Sequence, residues 1–179
     1  MTLSEYWDLE PDAISFGKGM GGGTIPIGAA VMTDELAEGV MAWEDVSPTF
    51  AWTPLACAVA LANIQLIQEE DLCDRSQKLG THLLSRVRTL FDTYVPGHVG
   101  QIRGMGMMIG IELVKSAGAK EPDFSMMRRL TISLVRAGLM IKVSWDFRVL
   151  ILMPPLNISQ EDIERALSIL EAQLSHLNR

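Results

Sequence analysis

The sequence predicts an α/β chain in two parts: a front α/β segment over residues 1–95 and a smaller α+β unit over residues 96–179. Three observations carry this reading. Short apolar runs and a glycine cluster give way to two long stretches with apolar residues at helical spacing. Pro96-Gly97 then breaks that pattern. Beyond it, strand-like and helical runs alternate through to the end. At 179 residues the chain is long enough to bury a sizeable core, and no repeat or low-complexity segment interrupts it.

In chain order, Ala13 to Phe16 reads as a short strand ahead of the glycines, and Ile25 to Met32 as a buried one. Thr33 is placed to cap a short helix from Asp34 to about Met41. Pro54 suits the first turn of a long helix, where its missing N–H does no harm, and Leu55, Val59, Ala62 and Leu66 follow at helical spacing. Leu79, Leu83, Val87 and Leu90 make one stripe on a second helix, about Leu72 to Phe91. In the rear unit, Val99 to Arg103 and Met107 to Val114 read as strands around a Gly104-Met105-Gly106 turn. A helix from Phe124 to Ala137 is closed by Gly138. Met140 to Val143 and Val149 to Met153 are further strands, the latter stopped by Pro154-Pro155. Ser159 and Asp162 resemble a capping box before a last helix carrying Ile163, Leu167, Leu170, Leu174 and Leu177.

Composition removes several function classes. Fifteen Lys+Arg against 22 Asp+Glu give a net charge of −7, and no basic stripe suits nucleic acid or an anionic membrane. The uncharged run from Val46 to Gln68 raises the question of a membrane span. Pro48, Pro54, Asn63, Gln65 and Gln68 interrupt it, which leaves it short of the ~20 apolar residues a span requires. It reads as a buried helix. Apolar residues make up 48% of the chain, an excess that points to faces packing on something outside this sequence. Cys57 and Cys73 lie within or beside one helical stretch, too far apart along it for a disulfide. With no secretory signal, the expected setting is the reducing cytoplasm. His82, His98 and His176 have no metal-ligand spacing, so no metal site is expected. Met105, Met107 and Met108 read as core filler.

Lys18 is the residue that points to chemistry. It stands in Ser15-Phe16-Gly17-Lys18-Gly19-Met20-Gly21-Gly22-Gly23, and no charged residue follows until Asp34. One reading is a surface lysine in a glycine turn. The other is a desolvated amine, whose pKa falls and which becomes a nucleophile. Glycines there let backbone approach a ligand and adopt positive φ. A Walker-type phosphate cradle places its glycines before the lysine, the reverse of the order here.

The run from Pro11 to Gly23, continued by Ile25-Pro26-Ile27-Gly28-Ala29, resembles the lysine signature of the class III aminotransferases, fold-type-I enzymes dependent on pyridoxal 5′-phosphate (PLP). The rest of the chain continues the resemblance in family order. It includes Thr49-Phe50 with Pro54-Leu55-Ala56-Cys57-Ala58, the run from Arg103 to Leu113, and the run from Val149 to Leu156. What the resemblance implies is the rear part of the PLP-dependent transferase large domain in residues 1–95 and the small α+β C-terminal domain in 96–179. It makes Lys18 the Schiff-base lysine, catalytic as well as cofactor-binding, and Thr49 a contact to the PLP phosphate of a neighbouring subunit. By itself Thr49 reads first as an ordinary loop or cap hydroxyl; only the resemblance makes it a phosphate contact. Arg103, beside a Gly-x-Gly turn, is assigned a structural role rather than one in the site.

The sequence departs from the family in three places. The glycine/serine phosphate loop, the ring-stacking aromatic and the ring-nitrogen aspartate that family members carry ahead of the lysine have no counterpart, and Asp8 and Asp12 lie too near Lys18 to replace that aspartate. The chain alone is therefore expected to bind PLP poorly and turn over little substrate. Ile151 occupies the position where members acting on α-amino acids carry a carboxylate-binding arginine, and Arg148 faces differently on a strand; either the substrate is an amine or ω-amino compound, or its carboxylate is bound by the missing half. Ala51-Trp52-Thr53 replaces smaller residues, so Trp52 either narrows a pocket or packs a subunit interface.

The leading expectation is a transaminase passing an amino group from an amine or amino acid to an oxo acid, as a homodimer or with a complementing N-terminal half. The alternatives are a PLP-dependent aminomutase or decarboxylase on the same scaffold, or a non-catalytic fragment or half of a split enzyme.

Overall fold

The computed structural model describes residues 2–41 and 49–177. They form two compact units, Met1–Asp71 and Leu72–Arg179. This division falls one helix ahead of Pro96, because the apolar stripe of the second long helix packs into the core of the rear unit.

The first unit opens with a short helix, α1 (Leu3–Tyr6). Thr2 and Glu5 cap it reciprocally: the Thr2 Oγ1 accepts the Glu5 N–H at 3.4 Å and the Thr2 N–H donates to Glu5 Oε2 at 2.9 Å. Strands β1 (Ala13–Phe16) and β2 (Ala29–Met32) pair antiparallel, with Phe16 opposite Ala29. The strand expected from Ile25 begins only at Ala29. Pro26 has no N–H for a ladder, and Gly28 passes so close to the Phe16 carbonyl that a Cβ would sit 3.2 Å from it. Helix α2 (Asp34–Met41) starts as expected, with the Leu36 N–H donating to Thr33 Oγ1 at 3.4 Å.

Helix α3 (Pro54–Glu69) begins at its proline. Its buried residues are Ala56 and Ala60, one position round from the expected stripe, and Leu55, Leu61 and Leu66 are exposed. The expectation of a buried helix is therefore corrected: within this chain α3 buries only small side chains. The beginning of the uncharged run, Val46 to Pro48, lies outside the described residues. Among the described residues no helix is long and apolar enough to cross a membrane.

The second unit has a core of its own. Helix α4 (Leu72–Tyr94) lies against an antiparallel sheet of β3 (Val99–Met105), β4 (Met108–Leu113), β5 (Lys142–Val143) and β6 (Val149–Leu152), in the order β3-β4-β6-β5. Helices α5 (Phe124–Arg136) and α6 (Gln160–Leu177) complete it. Period-two alternation on β4 sends Ile109, Ile111 and Leu113 inward, onto Val87 and Phe91 of α4, Leu130 and Leu134 of α5, and Leu167, Leu170 and Leu174 of α6. The Asp123 carboxylate caps α5 at the Met126 N–H, 2.8 Å away. At the start of α6, Ser159 Oγ accepts the Asp162 N–H at 3.0 Å and donates to its carboxylate at 2.8 Å.

The β3–β4 turn lies later than expected. Gly104 and Met105 belong to β3, paired with Ile109 and Met108, so Gly106 (φ +53°) and Met107 make the turn. The site is crowded: a Cβ on Gly80 of α4 would sit 1.9 Å from the Gly106 carbonyl oxygen. Of the three methionines expected in the core, Met107 is buried, Met105 half-buried and Met108 exposed, because Met108 points to the sheet's outer face. Cys57 and Cys73 are free and exposed, on α3 and α4, which Asp71 (φ +53°) separates.

Candidate functional site

Lys18 opens a 3-10 turn, Lys18–Gly21, that follows β1 directly. Its φ is +48°, in the left-handed region that a side chain disfavours. The turn is held from two sides. Thr24 Oγ1 donates to the Gly21 carbonyl at 2.9 Å, and Asn63 of α3 donates through Nδ2 to the carbonyls of Gly19 at 3.0 Å and Met20 at 3.2 Å. Gly22 (φ +60°) closes the turn, and a Cβ there would meet Asn63 Oδ1 at 3.2 Å. Gly17, Gly19 and Gly23 face open space.

Lys18 and residues 23–28 line an open, shallow cleft. Lys18 itself is exposed. The desolvation expected from its sequence context is thus not supplied by the described residues of this chain, because the apolar neighbours in sequence run beside the amine without covering it. Thr49 is exposed, in the turn ahead of Phe50, and is not among the residues lining the cleft. Trp52 is 86% exposed, so it packs against little among the described residues. Asp8 and Asp12 are exposed and also lie outside the cleft lining.

In the second unit, Arg103 donates to Gln101 Oε1 at 2.9 Å and pairs with Glu112, so its partners are side chains on its own face of the sheet. Ile151 pairs across the ladder with Gly110 on one side and Lys142 on the other. Directly paired residues share a face, so the exposed Lys142 is a cation beside the position where the resemblance calls for an arginine. Only the strand register reveals it. Arg148 lies outside β6 and pairs with Asp146 at 3.3 Å, whose carboxyl is held below its ordinary range chiefly by the Ser144 hydroxyl. Elsewhere, His82 Nε2 lies 2.6 Å from Glu164 Oε1 and Arg86 Nη1 3.2 Å from Glu164 Oε2. His82 first, then Arg86, hold the Glu164 carboxyl below its ordinary range. Among the described residues no cluster of His, Cys, Asp or Glu could hold a metal ion.

Comparison with known proteins gives these features a context. The acetylornithine aminotransferase of Methanocaldococcus jannaschii is 30% identical over 179 residues, 100% of this chain and 41% of that protein. An ornithine aminotransferase of Bacillus anthracis is 35% identical over 94% of this chain and 39% of its own length. A PLP-bound amine transaminase from an uncultivated Pseudomonas species superposes with a TM-score of 0.88 at 28% identity, over 97% of this chain and 40% of that one. The chain thus spans about two-fifths of the length of the relatives it matches. The family model described as "Aminotransferase class-III" matches residues 3–174. This chain belongs to the class III aminotransferase family.

Proposed function

We propose that this chain is the lysine-bearing part of a PLP-dependent transaminase that moves an amino group from an amine or amino acid to an oxo-acid acceptor. The observation that carries the reading is Lys18: an exposed amine on a glycine-rich turn, braced from behind and open in front. Those residues fit covalent attachment of an aldehyde cofactor, since the amine is reachable and no Cβ on Gly17, Gly19 or Gly23 blocks approach. Bound PLP supplies the electron sink. Lys18 Nζ would then take the proton from the substrate's amine-bearing carbon and pass it to the cofactor's C4′ rather than back. Thr49, exposed and outside the Lys18 cleft, is assigned to the cofactor phosphate of a neighbouring copy.

The cleft lining contains no carboxylate to pair with a ring nitrogen. With Lys18 exposed, this supports a chain that binds PLP weakly and turns over little by itself. The exposed leucines of α3 support a partner, either a second copy or a complementing N-terminal half. The free cysteines suit a reducing cytoplasm. On substrate, Ile151 removes the bidentate carboxylate clamp and Lys142 offers only a point charge beside it, which favours an amine or ω-amino donor.

Incubation with PLP, borohydride reduction and peptide mapping test the reading, with and without a candidate N-terminal half. The pyridoxyl label is expected on Lys18, rising when the second half is added. A label on another lysine overturns the assignment, and full transaminase turnover by the chain alone overturns its incompleteness.

A further inference from the structure

We infer that Asn63 is the positioning residue of Lys18: its carboxamide, arriving from α3, fixes the turn that aims the amine. The inference rests on the reading of Lys18 as the cofactor-binding lysine. Lys18 sits at φ +48°, a left-handed conformation that a side chain disfavours and that contacts from outside the turn can hold. The turn behind it is rich in glycine, the residue with the most backbone freedom to lose. Its own sequence therefore does not make it stiff. Among the described residues, the side chain from another element that hydrogen-bonds to the turn is Asn63, 44 residues from Gly19 along the chain.

The geometry is that of a clamp. Both donor hydrogens of Nδ2 are used, one on the Gly19 carbonyl and one on the Met20 carbonyl, at 3.0 and 3.2 Å. The Gly19–Met20 and Met20–Gly21 peptide planes are thereby held, one residue beyond Lys18. Asn63 Oδ1 faces Gly22, whose φ of +60° and missing Cβ leave room for the carboxamide. Asn63 is half-buried on a helix, a firmer mount than a loop.

Two variants of the full chain test this: Asn63→Ala, and the same-sized Asn63→Asp, which keeps the shape and removes both N–H donors. Hydrogen–deuterium exchange reads the order of the turn, and the rate of borohydride-trapped PLP attachment reads the placement of Lys18. Loss of both hydrogen bonds is expected to speed exchange of the turn amides about tenfold and to slow labelling of Lys18 by a similar factor. Exchange within the second unit should match wild type. In Asn63→Asp, lowering the pH until the introduced carboxyl protonates should restore one donor and part of the protection. Wild-type exchange in both variants overturns the inference, and so does faster exchange with unchanged labelling. If wild-type Lys18 takes no PLP, the cofactor reading fails separately. Acetylation of Lys18 by acetic anhydride then serves as the second measurement, with the same outcomes.

Discussion

The two units solve different problems with the same kinds of residue. In the second, Val87, Phe91, Ile109, Ile111, Leu130 and Leu150 are fully enclosed and meet in one cluster. In the first, the buried apolar side chains among the described residues are Ala56 and Ala60, while Tyr6, Trp7, Leu9, Phe50, Trp52, Leu55 and Leu61 are exposed. The second unit spends its apolar surface on itself. The first holds its turn with hydrogen bonds and presents its apolar surface outward, as a helix apolar on all sides does when its partner is another body. Stability and chemistry are therefore separated along the chain: the residues that would react sit in the part with the least core.

The sharpest way to break that comparison is at the tightest point of the second unit. Gly80→Ala puts a methyl group into the Gly106 carbonyl, with backbone on both sides and nothing flexible to give way. It is expected to cost on the order of 4 kcal/mol or more, read as loss of the cooperative unfolding transition in urea. Next comes a matched pair. Leu130→Ala, in the core, should cost about 3 kcal/mol by denaturant midpoint, whereas Leu61→Ala, on exposed α3, should change it by less than about 0.5 kcal/mol. Equal losses would mean that the first unit has a core after all.

The smallest effect concerns the surface. The Glu164 carboxyl is held below its ordinary value of 4.5, so its pairing with His82 and Arg86 contributes stability at higher pH, lost as the pH falls through the depressed value. Glu164→Gln should therefore melt lower than wild type near neutrality, with the gap closing under acid conditions below 4.5. A gap that stays constant with pH would show that the pairing adds nothing.

Sequence pattern revealed the second unit better than the first. Leu83, Val87 and Leu90 lie in the core at the spacing that marked them, because a helix that buries its own face leaves a periodic record. The β3–β4 turn was displaced because glycine there signals two different things. Gly106 takes the positive φ of the turn, while Gly104 stays in the strand, where a Cβ would press within 2.6 Å of the Met108 carbonyl. Lys18 was conspicuous in sequence, but its exposure was not, since local composition cannot say whether the apolar residues beside an amine fold over it. Asn63 and Lys142 left no local signal. One acts across 44 residues and the other through a strand register, and both facts exist only once the chain has folded.

Arg75 gives the second unit a timetable. From the start of α4 its guanidinium donates to the carbonyl of Leu156 at 2.7 Å, and also to that of Ile158, just past the double proline. The nearer of those partners is 81 residues away. A ribosome adding about 5–20 residues per second therefore delivers it roughly 4–16 s after Arg75 itself. From the addition of Tyr94 until α6 follows, the apolar stripe of α4 is complete with no α6 to receive it. Until α6 is translated, that stripe is open to other apolar surfaces.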